Sequence, residues 1–370
     1  MNGKAIFQGG NAQSLNDVAG QPIAEYAHTK SGTVHKLEGP AKAKNIVFKA
    51  TGDYSDGDTW TLNNTPVTVT YNGGEELLPT AVLIGDMVQA VVMGNQVRLM
   101  LQKPIPQPNI LYNWYFVDPV NQKGQKEYTG GYNIDRWSFP QKVELTSEGI
   151  SLVRTLVANN PPFSQKIPNL SNYTGKTLTF SVLAKTDKPD SFRCSIGGDT
   201  TYFAIKYIKA SEDYMLCTVT AKVEDSGTCL LATIQDMSAV LNHNPTIGDA
   251  CHLVAAKLEP GNRFTGWPAW DYGTELVKCQ KYFRVAKRWD FWKGIDVQPN
   301  YIDFPFPGLY GMRTKPAIIN PEGFNLSKQG FTFELVSFGL SPRLRAAKTN
   351  HGLTGALLEA NSNIYFDANL

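Results

Sequence analysis

Groups able to do covalent chemistry are sparse in this chain, and their spacing excludes most reaction classes. The five histidines, His28, His35, His243, His252 and His351, are scattered. Only His243, Cys251 and His252 come close together, at a spacing that fits no zinc pattern, so the histidines read as satisfied surface or core residues. There is no GxSxG elbow, no HExxH, no Walker loop and no GxGxxG ahead of a helix. Gly9-Gly10 and Gly197-Gly198 lack a basic helix start behind them and read as turns. Cleaving a polysaccharide takes two carboxyl groups roughly 5–10 Å apart across the scissile bond. Asp290 and Asp296, close to Trp289 and Trp292, are the acids set among several aromatics. A depolymerase is therefore the enzymatic alternative, although the usual spike depolymerase is a long β-helix with short repeats, and this chain has no such periodicity.

Rings say more than acids. Binding sugar without turnover needs flat apolar faces against C–H groups and a few hydrogen bonds, on loops held by a rigid sheet. Trp289, Phe291, Trp292, Tyr301, Phe304, Phe306 and Tyr310 fall in one Pro- and Gly-rich region. The competing reading places such rings in a β core or a trimer interface. Trp289 and Trp292, flanked by Arg288, Asp290 and Lys293, are expected to be exposed. The candidate ligand-binding set is Trp289, Trp292, Asp290, Tyr301 and Tyr310, with no catalytic residue. Trp60 and Trp137 read as core. Tyr128, Tyr132, Trp267 and Trp270 line one edge of a domain, or else Trp267 and Trp270 anchor it to the helix that follows.

The scaffold must come from 370 residues with 42% hydrophobic and 11% aromatic content, enough for real cores. Length alone points to two or three domains. Net charge is +2 with no strongly basic segment, so neither nucleic acid nor an anionic membrane is an expected partner. Five cysteines, Cys194, Cys217, Cys229, Cys251 and Cys279, occur without a CxxC pair in apolar contexts and read as small core hydrophobes. The opening MNGKAIFQGG has no signal-peptide pattern, and no stretch approaches the ~20 apolar residues of a membrane helix. A soluble protein made in the cytoplasm is expected.

Three modules suggest themselves: 1–105, 109–270 and 271–370, the first two joined by the proline-rich run 102–109, which favours an extended connector. In the first, 45–51, 58–62 and 66–71 alternate apolar and polar residues between Gly, Asn and Asp turns, which predicts antiparallel sheet. Gly94-Asn95 predicts a tight hairpin. Before Thr33, the residues Leu15, Val18, Ile23 and Tyr26 fit a short helix or an extended arm. In the second, Leu178, Phe180 and Val182 share a face, as do Met215, Cys217, Val219 and Ala221, and 251–258 is apolar enough for a strand buried on both faces. A helix capped by Thr274 is expected to run through Arg284. Beyond it, 300–305, 314–319, 331–337 and 363–367 are β-patterned. There is no sustained heptad pattern, so a long coiled-coil stalk is excluded.

Three segments together resemble tail-fibre and receptor-binding proteins of phages and prophages. They are PNILYNWYFVDPVNQKG with GGYNIDRW (108–124 and 130–137), AAKLEPGNRFTGWPAWDYGTELVKCQKYF (255–283), and FPFPGLYGMRTKPAI with the terminal IYFDANL (304–318 and 364–370). The resemblance covers 108–370. It departs at Asn369, where the family carries an acid, and in the longer approach from Gly308 to Met312. It implies a mainly β chain: a carbohydrate-binding-module-like jelly roll, a linking helix and a C-terminal β tip that trimerises. The function it implies is attachment of a virion to a host-surface glycan or protein, with residues 1–105 as an N-terminal β-domain meeting other tail or baseplate proteins. A purely structural decoration or spacer protein is the third reading. No cofactor is expected, but in related folds residues placed like Asn113, Asp118 and Glu259 hold a structural calcium, a hard-cation site with oxygen ligands.

Overall fold

The computed structural model describes residues 22–131, 134–156, 162–188, 190–241, 243–287, 290–306, 309, 312–337, 342–351, 353 and 357–368. Among these residues strand makes up 47% and helix 6%, so the chain is mainly β, as its alternation predicts. It folds as two compact units of interleaved segments. Of the described residues, the first gathers those within 22–110, 167–243 and 251–269, and the second those within 111–166, 244–250 and 270–368.

The first unit opens with an eight-stranded sheet. Its order is Ile23–Glu25, Asn45–Lys49, Met87–Met93, Gln96–Leu99, Thr65–Thr70, Thr59–Leu62, Val34–Glu38 and Ala27–Ser31. Ile23 and Tyr26 thus belong to an extended arm and its flank; Leu15 and Val18 lie outside the described residues. Two tight turns fix the register. Gly94 and Asn95 connect Met93 to its partner Gln96. Asn63 and Asn64, at φ 47° and 65°, connect Leu62 to its partner Thr65, the positive pair that a type I′ hairpin requires. Leu37, Ile46, Phe48, Val88, Val97 and Leu99 fill the core, and Trp60 joins them at 4% exposure.

A polar chain runs through that core. The Thr51 backbone N–H donates to His28 Nδ1 at 3.0 Å. The His28 proton therefore sits on Nε2, which lies 3.0 Å from His35 Nδ1. His35 Nε2 in turn donates to Asp58 Oδ2 at 3.1 Å, and Lys30 Nζ reaches the same oxygen at 2.5 Å. A backbone amide at one end and a carboxylate at the other fix both tautomers. Burial, with the His35 and Lys30 charges adding, pushes the His28 pKa down from 6.5 to about 4; burial also lowers that of His35.

The same unit continues as two packed antiparallel layers. Thr177–Thr186 pairs with Ser211–Lys222 on one side and Ala250–Pro260 on the other, placing Phe180 opposite Val219 and Leu258. Leu178, Phe180 and Val182 are fully buried on one face, as their alternation predicts, and Cys217, Val219 and Ala221 are buried as well. The strand Ala250–Pro260 is buried on both faces along Ala255 to Glu259, yet it includes an ion pair, Lys257 with Glu259. Lys257 Nζ donates to Glu259 Oε2 at 2.9 Å, Thr265 Oγ1 at 2.9 Å and the Gly266 carbonyl at 2.6 Å, using all three ammonium protons. The proline-rich run is extended and docked: Gln107 N–H donates to Thr265 Oγ1, and Ile110 N–H donates to the Leu258 carbonyl.

In the second unit, Lys142–Thr146 lies between Glu127–Thr129 and Gly149–Val153. Trp137 is fully buried, stacked on Phe163 at 4.7 Å, with Nε1 donating to the Asn113 carbonyl at 3.0 Å. Arg136 beside it is also buried, so this stretch does not alternate between core and solvent. The helix is Tyr272–Cys279, shorter than its periodicity predicts, and Asp271 rather than Thr274 caps it, accepting the Thr274 N–H at 3.0 Å. Phe283–Ala286 leaves the helical path because it pairs with Ile364–Asp367, which also pairs with Ala317–Ile319. Tertiary strand pairing overrides local periodicity there. Asp296–Gln298, Tyr301–Pro305, Arg343–Ala347 and Thr332–Ser337 form a further sheet, closing a core of Ile302, Phe304, Phe306, Phe324, Leu344, Ile364 and Phe366.

Lys257→Met should destabilise the fold by about 3–5 kcal/mol, because it strands a buried Glu259 carboxylate, and adding Glu259→Leu should recover most of that loss. Denaturant unfolding of the single and double variants measures this. The histidine chain sets a pH dependence. Because His28 binds its proton more weakly folded than unfolded, stability is present above pH 6.5 and is lost as pH falls from there toward about 4. His28→Gln should flatten that part of a stability–pH profile.

Candidate functional site

The site is built on three strands of the first unit. Phe192–Gly197 lies between Tyr202–Tyr207 and Cys229–Asp236, antiparallel to both. Successive side chains in a strand point to opposite faces. Phe192, Cys194 and Ile196, with Leu230, Ala232 and Ile234, go into the core at 0–2% exposure. Arg193, Ser195, Leu231, Thr233 and Gln235 must then share the other face, and register adds Tyr207 opposite Arg193 and Ile205 opposite Ser195. The pairing shifts between Ile196 and Gly197, which brings Tyr202 opposite Gly197. A Cβ at Gly197 would come within 2.7 Å of the Thr201 carbonyl and 3.3 Å of the Tyr202 ring, so the shift requires glycine.

Two apolar side chains stand open on this face, Tyr202 at 45% exposure and Ile205 at 44%. The Arg193 guanidinium lies 4.5 Å from the Tyr202 ring centroid. Gln235 Oε1 accepts from Arg193 Nη2 at 2.7 Å, from Arg193 Nε at 3.2 Å and from the Tyr202 hydroxyl at 3.2 Å. Ring, guanidinium and amide are therefore held as one unit. Between them Ser195 and Thr233 form the floor, and the buried Ser195 Oγ has no hydrogen-bond partner. None of the face residues named is a carboxylate or a histidine, so they provide contact and hydrogen bonding without an acid–base pair.

The residues singled out from sequence fall in the second unit. Trp289 and Tyr310 lie outside the described residues. Trp292, expected to be exposed, is half-buried: it stacks on Phe306 at 4.2 Å and meets the edge of Phe324 at 6.3 Å, packed against the C-terminal core. It is drawn inward because the neighbouring strand Leu357–Glu359 pairs directly with Phe291–Lys293. Asp290 is exposed and accepts the Lys287 N–H at 2.8 Å, closing a turn. Asp290 and Trp292 do share a 180 Å³ pocket with Arg284, Gln122 and Phe366. Asp296 does not line it. Tyr301 sits on a separate strand under the Arg345 guanidinium, 3.7 Å away, while Arg345 forms a two-point ion pair with Asp303.

Other candidates resolve into structural roles. Tyr128 is buried, and its hydroxyl donates to Asn121. Tyr132 lies outside the described residues. Trp270 packs on Trp114 at 5.4 Å and donates to Asp118 Oδ2 at 3.2 Å, beside the start of the helix. Trp267 lies edge-on to Phe264 and lines a 410 Å³ groove with Leu78, Pro104, Pro106 and Leu216. Among the oxygens proposed for calcium, the Asn113 amide is engaged with backbone, donating to the Val120 and Asp135 carbonyls and accepting the Val120 N–H. Glu259 is held by Lys257 and Thr265. Among the described residues no three His, Cys, Asp or Glu side chains converge as a metal site would need. His28 and His35, distant from each other's chemistry in the sequence reading, meet in the polar chain described above.

No family model and no curated protein sequence matches the chain. Among solved structures it is similar to one described as "CBM4 structure and function", at 17% identity and a TM-score of 0.29, covering 40% of this chain and 98% of that one. A second is SGBP-B from a complex xyloglucan utilization locus in Bacteroides uniformis, at 12% identity and a TM-score of 0.24, covering 64% of this chain and 73% of that one.

Trp292→Ala should lower stability by about 2–3 kcal/mol, as loss of a stacked, half-buried ring would, rather than leave unfolding unchanged as an exposed ring would. Thermal and denaturant unfolding distinguish the two.

Proposed function

We propose that this chain is an adhesion protein that binds a surface glycan on the open face carrying Tyr202, Ile205, Arg193 and Gln235, without catalysing a reaction on it. The observation that carries the reading is the fixed Tyr202–Arg193–Gln235 unit above a floor of buried hydroxyls. A pyranose offers an apolar C–H face and a rim of hydroxyl groups. Tyr202 and Ile205 suit the first; the Arg193 guanidinium and the Gln235 amide suit the second. The sheet holds these groups in place before the ligand arrives, which limits the entropy cost of binding.

The resemblance of 108–370 to phage and prophage tail proteins supplies the setting. In this reading the chain is a tail-fibre or baseplate appendage of a virion, assembled as a homotrimer, with residues 1–105 facing other tail proteins. One shallow open face binds weakly, and three linked copies raise the effective concentration at a host surface without any new contact. Light scattering should then return about three chains per particle.

A glycan array followed by calorimetry tests the binding claim. Tyr202→Ala should weaken binding by roughly tenfold or more, and Gln235→Ala should weaken it as well, because the guanidinium loses its anchor. Both positions lie on the outer face, so thermal unfolding should barely move. Binding that survives both changes intact would place the ligand elsewhere, and a wild-type protein that binds no glycan and no host cell would favour a spacer role. New reducing ends released from host glycan would replace adhesion with cleavage.

A further inference from the structure

We propose that Cys194 and Cys217 are the two halves of a disulfide that closes between the two layers of the sandwich when the folded protein meets a peroxide. Their Sγ atoms lie 3.2 Å apart. Cys194 is on the inward face of Phe192–Gly197, and Cys217 is on Ser211–Lys222, in the opposing layer. Both are buried, at 0% and 7% exposure. Two sulfurs held this close need only a modest rotation about their side-chain bonds to reach bonding distance, about 2.0 Å.

The two thiols are not equivalent. Cys194 is fully enclosed, and its hydrogen bond to Cys217, together with burial, pushes its thiol up, so it keeps its proton. For Cys217 the hydrogen bond to Cys194 and the charges of Lys206 and Lys209 outweigh burial and lower its thiol. Cys217 is also the more exposed of the pair. It is therefore the sulfur that reacts first. The Cys217 thiolate attacks one peroxide oxygen, the O–O bond breaks, and Cys217 becomes a sulfenic acid with release of hydroxide. Cys194 Sγ then attacks Cys217 Sγ. The S–O bond breaks, and the hydroxide that leaves takes up the Cys194 proton as water. In sum, two thiols and one hydrogen peroxide give one disulfide and two waters.

The position gives the bond a consequence. Cys194 lies between Arg193 and Ser195, which point to the open face, so the cross-link would pin the strand that carries them to the layer behind it. It would also close the chain segment containing Tyr202 into a covalent loop, restricting the unfolded state.

The test uses the full chain, treated with a small excess of hydrogen peroxide, unfolded in the presence of iodoacetamide, digested without reductant and mapped by mass spectrometry. The expected result is a peptide linking Cys194 to Cys217 and an intact protein two hydrogens lighter. Thermal unfolding should shift upward by about 5 °C, reversed by dithiothreitol. In Cys194→Ser, peroxide should leave Cys217 as a sulfenic acid that dimedone traps. Recovery of both cysteines alkylated from peroxide-treated wild type, or linkage of either to a different cysteine, overturns the proposal, as does a sulfinic acid on Cys217 in the wild type. The outcome is read from covalent chemistry alone and does not depend on whether a glycan binds.

Discussion

The face that carries Tyr202, Arg193 and Gln235 exists because the other face of the same strands is committed to a dry core. Phe192, Cys194, Ile196, Leu230, Ala232 and Ile234 are excluded from water together, and the pleat leaves the alternate residues no other side to occupy. A slip of one residue in either pairing would send Arg193 inward and a core side chain outward, at the cost of burying an unpaired charge. The register shift at Gly197 is the one place where this alternation is deliberately broken, and it is what brings Tyr202 into line with the Arg193–Gln235 pair. Binding geometry and core packing are thus one constraint seen from two sides.

Two buried polar networks in the first unit hold most of their groups by the same accounting of partners. Lys257 and Glu259 lie in a strand covered on both faces, where each charge alone would be strongly unfavourable, and the three donations from Lys257 make the pair tolerable. The histidine chain from Thr51 to Asp58 is stable as neutral rings because every nitrogen along it already has a role. Both networks specify one arrangement of their surroundings and tolerate few others, since a half-satisfied network costs more than an apolar core. Ser195 Oγ, like Asp58 Oδ1 and Trp60 Nε1, is a buried polar atom with no hydrogen-bond partner, and such groups cost the fold stability.

In the second unit aromatic rings serve mainly as packing. Trp137 on Phe163 is a stacked pair inside its core, and half-buried Trp292 stacks on Phe306 at the edge of another, with Phe366 behind. Asp303 and Arg345 bridge adjacent strands below Tyr301 and stiffen the C-terminal sheet. A cluster of rings in sequence is therefore a weaker guide to a sugar site than a few rings tied to planar polar side chains.

Alternation, turn residues and hydrophobic content determined by themselves that the chain is mainly β, where its hairpins fall, and that Leu178, Phe180 and Val182 are core. These are local properties: a period of two and a pair of positive φ angles are written into neighbouring residues. The inward and outward roles of Arg193 and Cys194 were equally present in FRCSIG, though nothing local says that the outward face stays open. The shortened helix, the inward turn of Trp292, the buried Lys257 and the meeting of His28 with His35 came only with the tertiary structure. Each depends on a partner far away in the chain, such as Ile364–Asp367 pairing with Phe283–Ala286. Whether a ring is platform or core is decided by what covers it, and that is a property of strand pairing and layer packing rather than of the residues beside it.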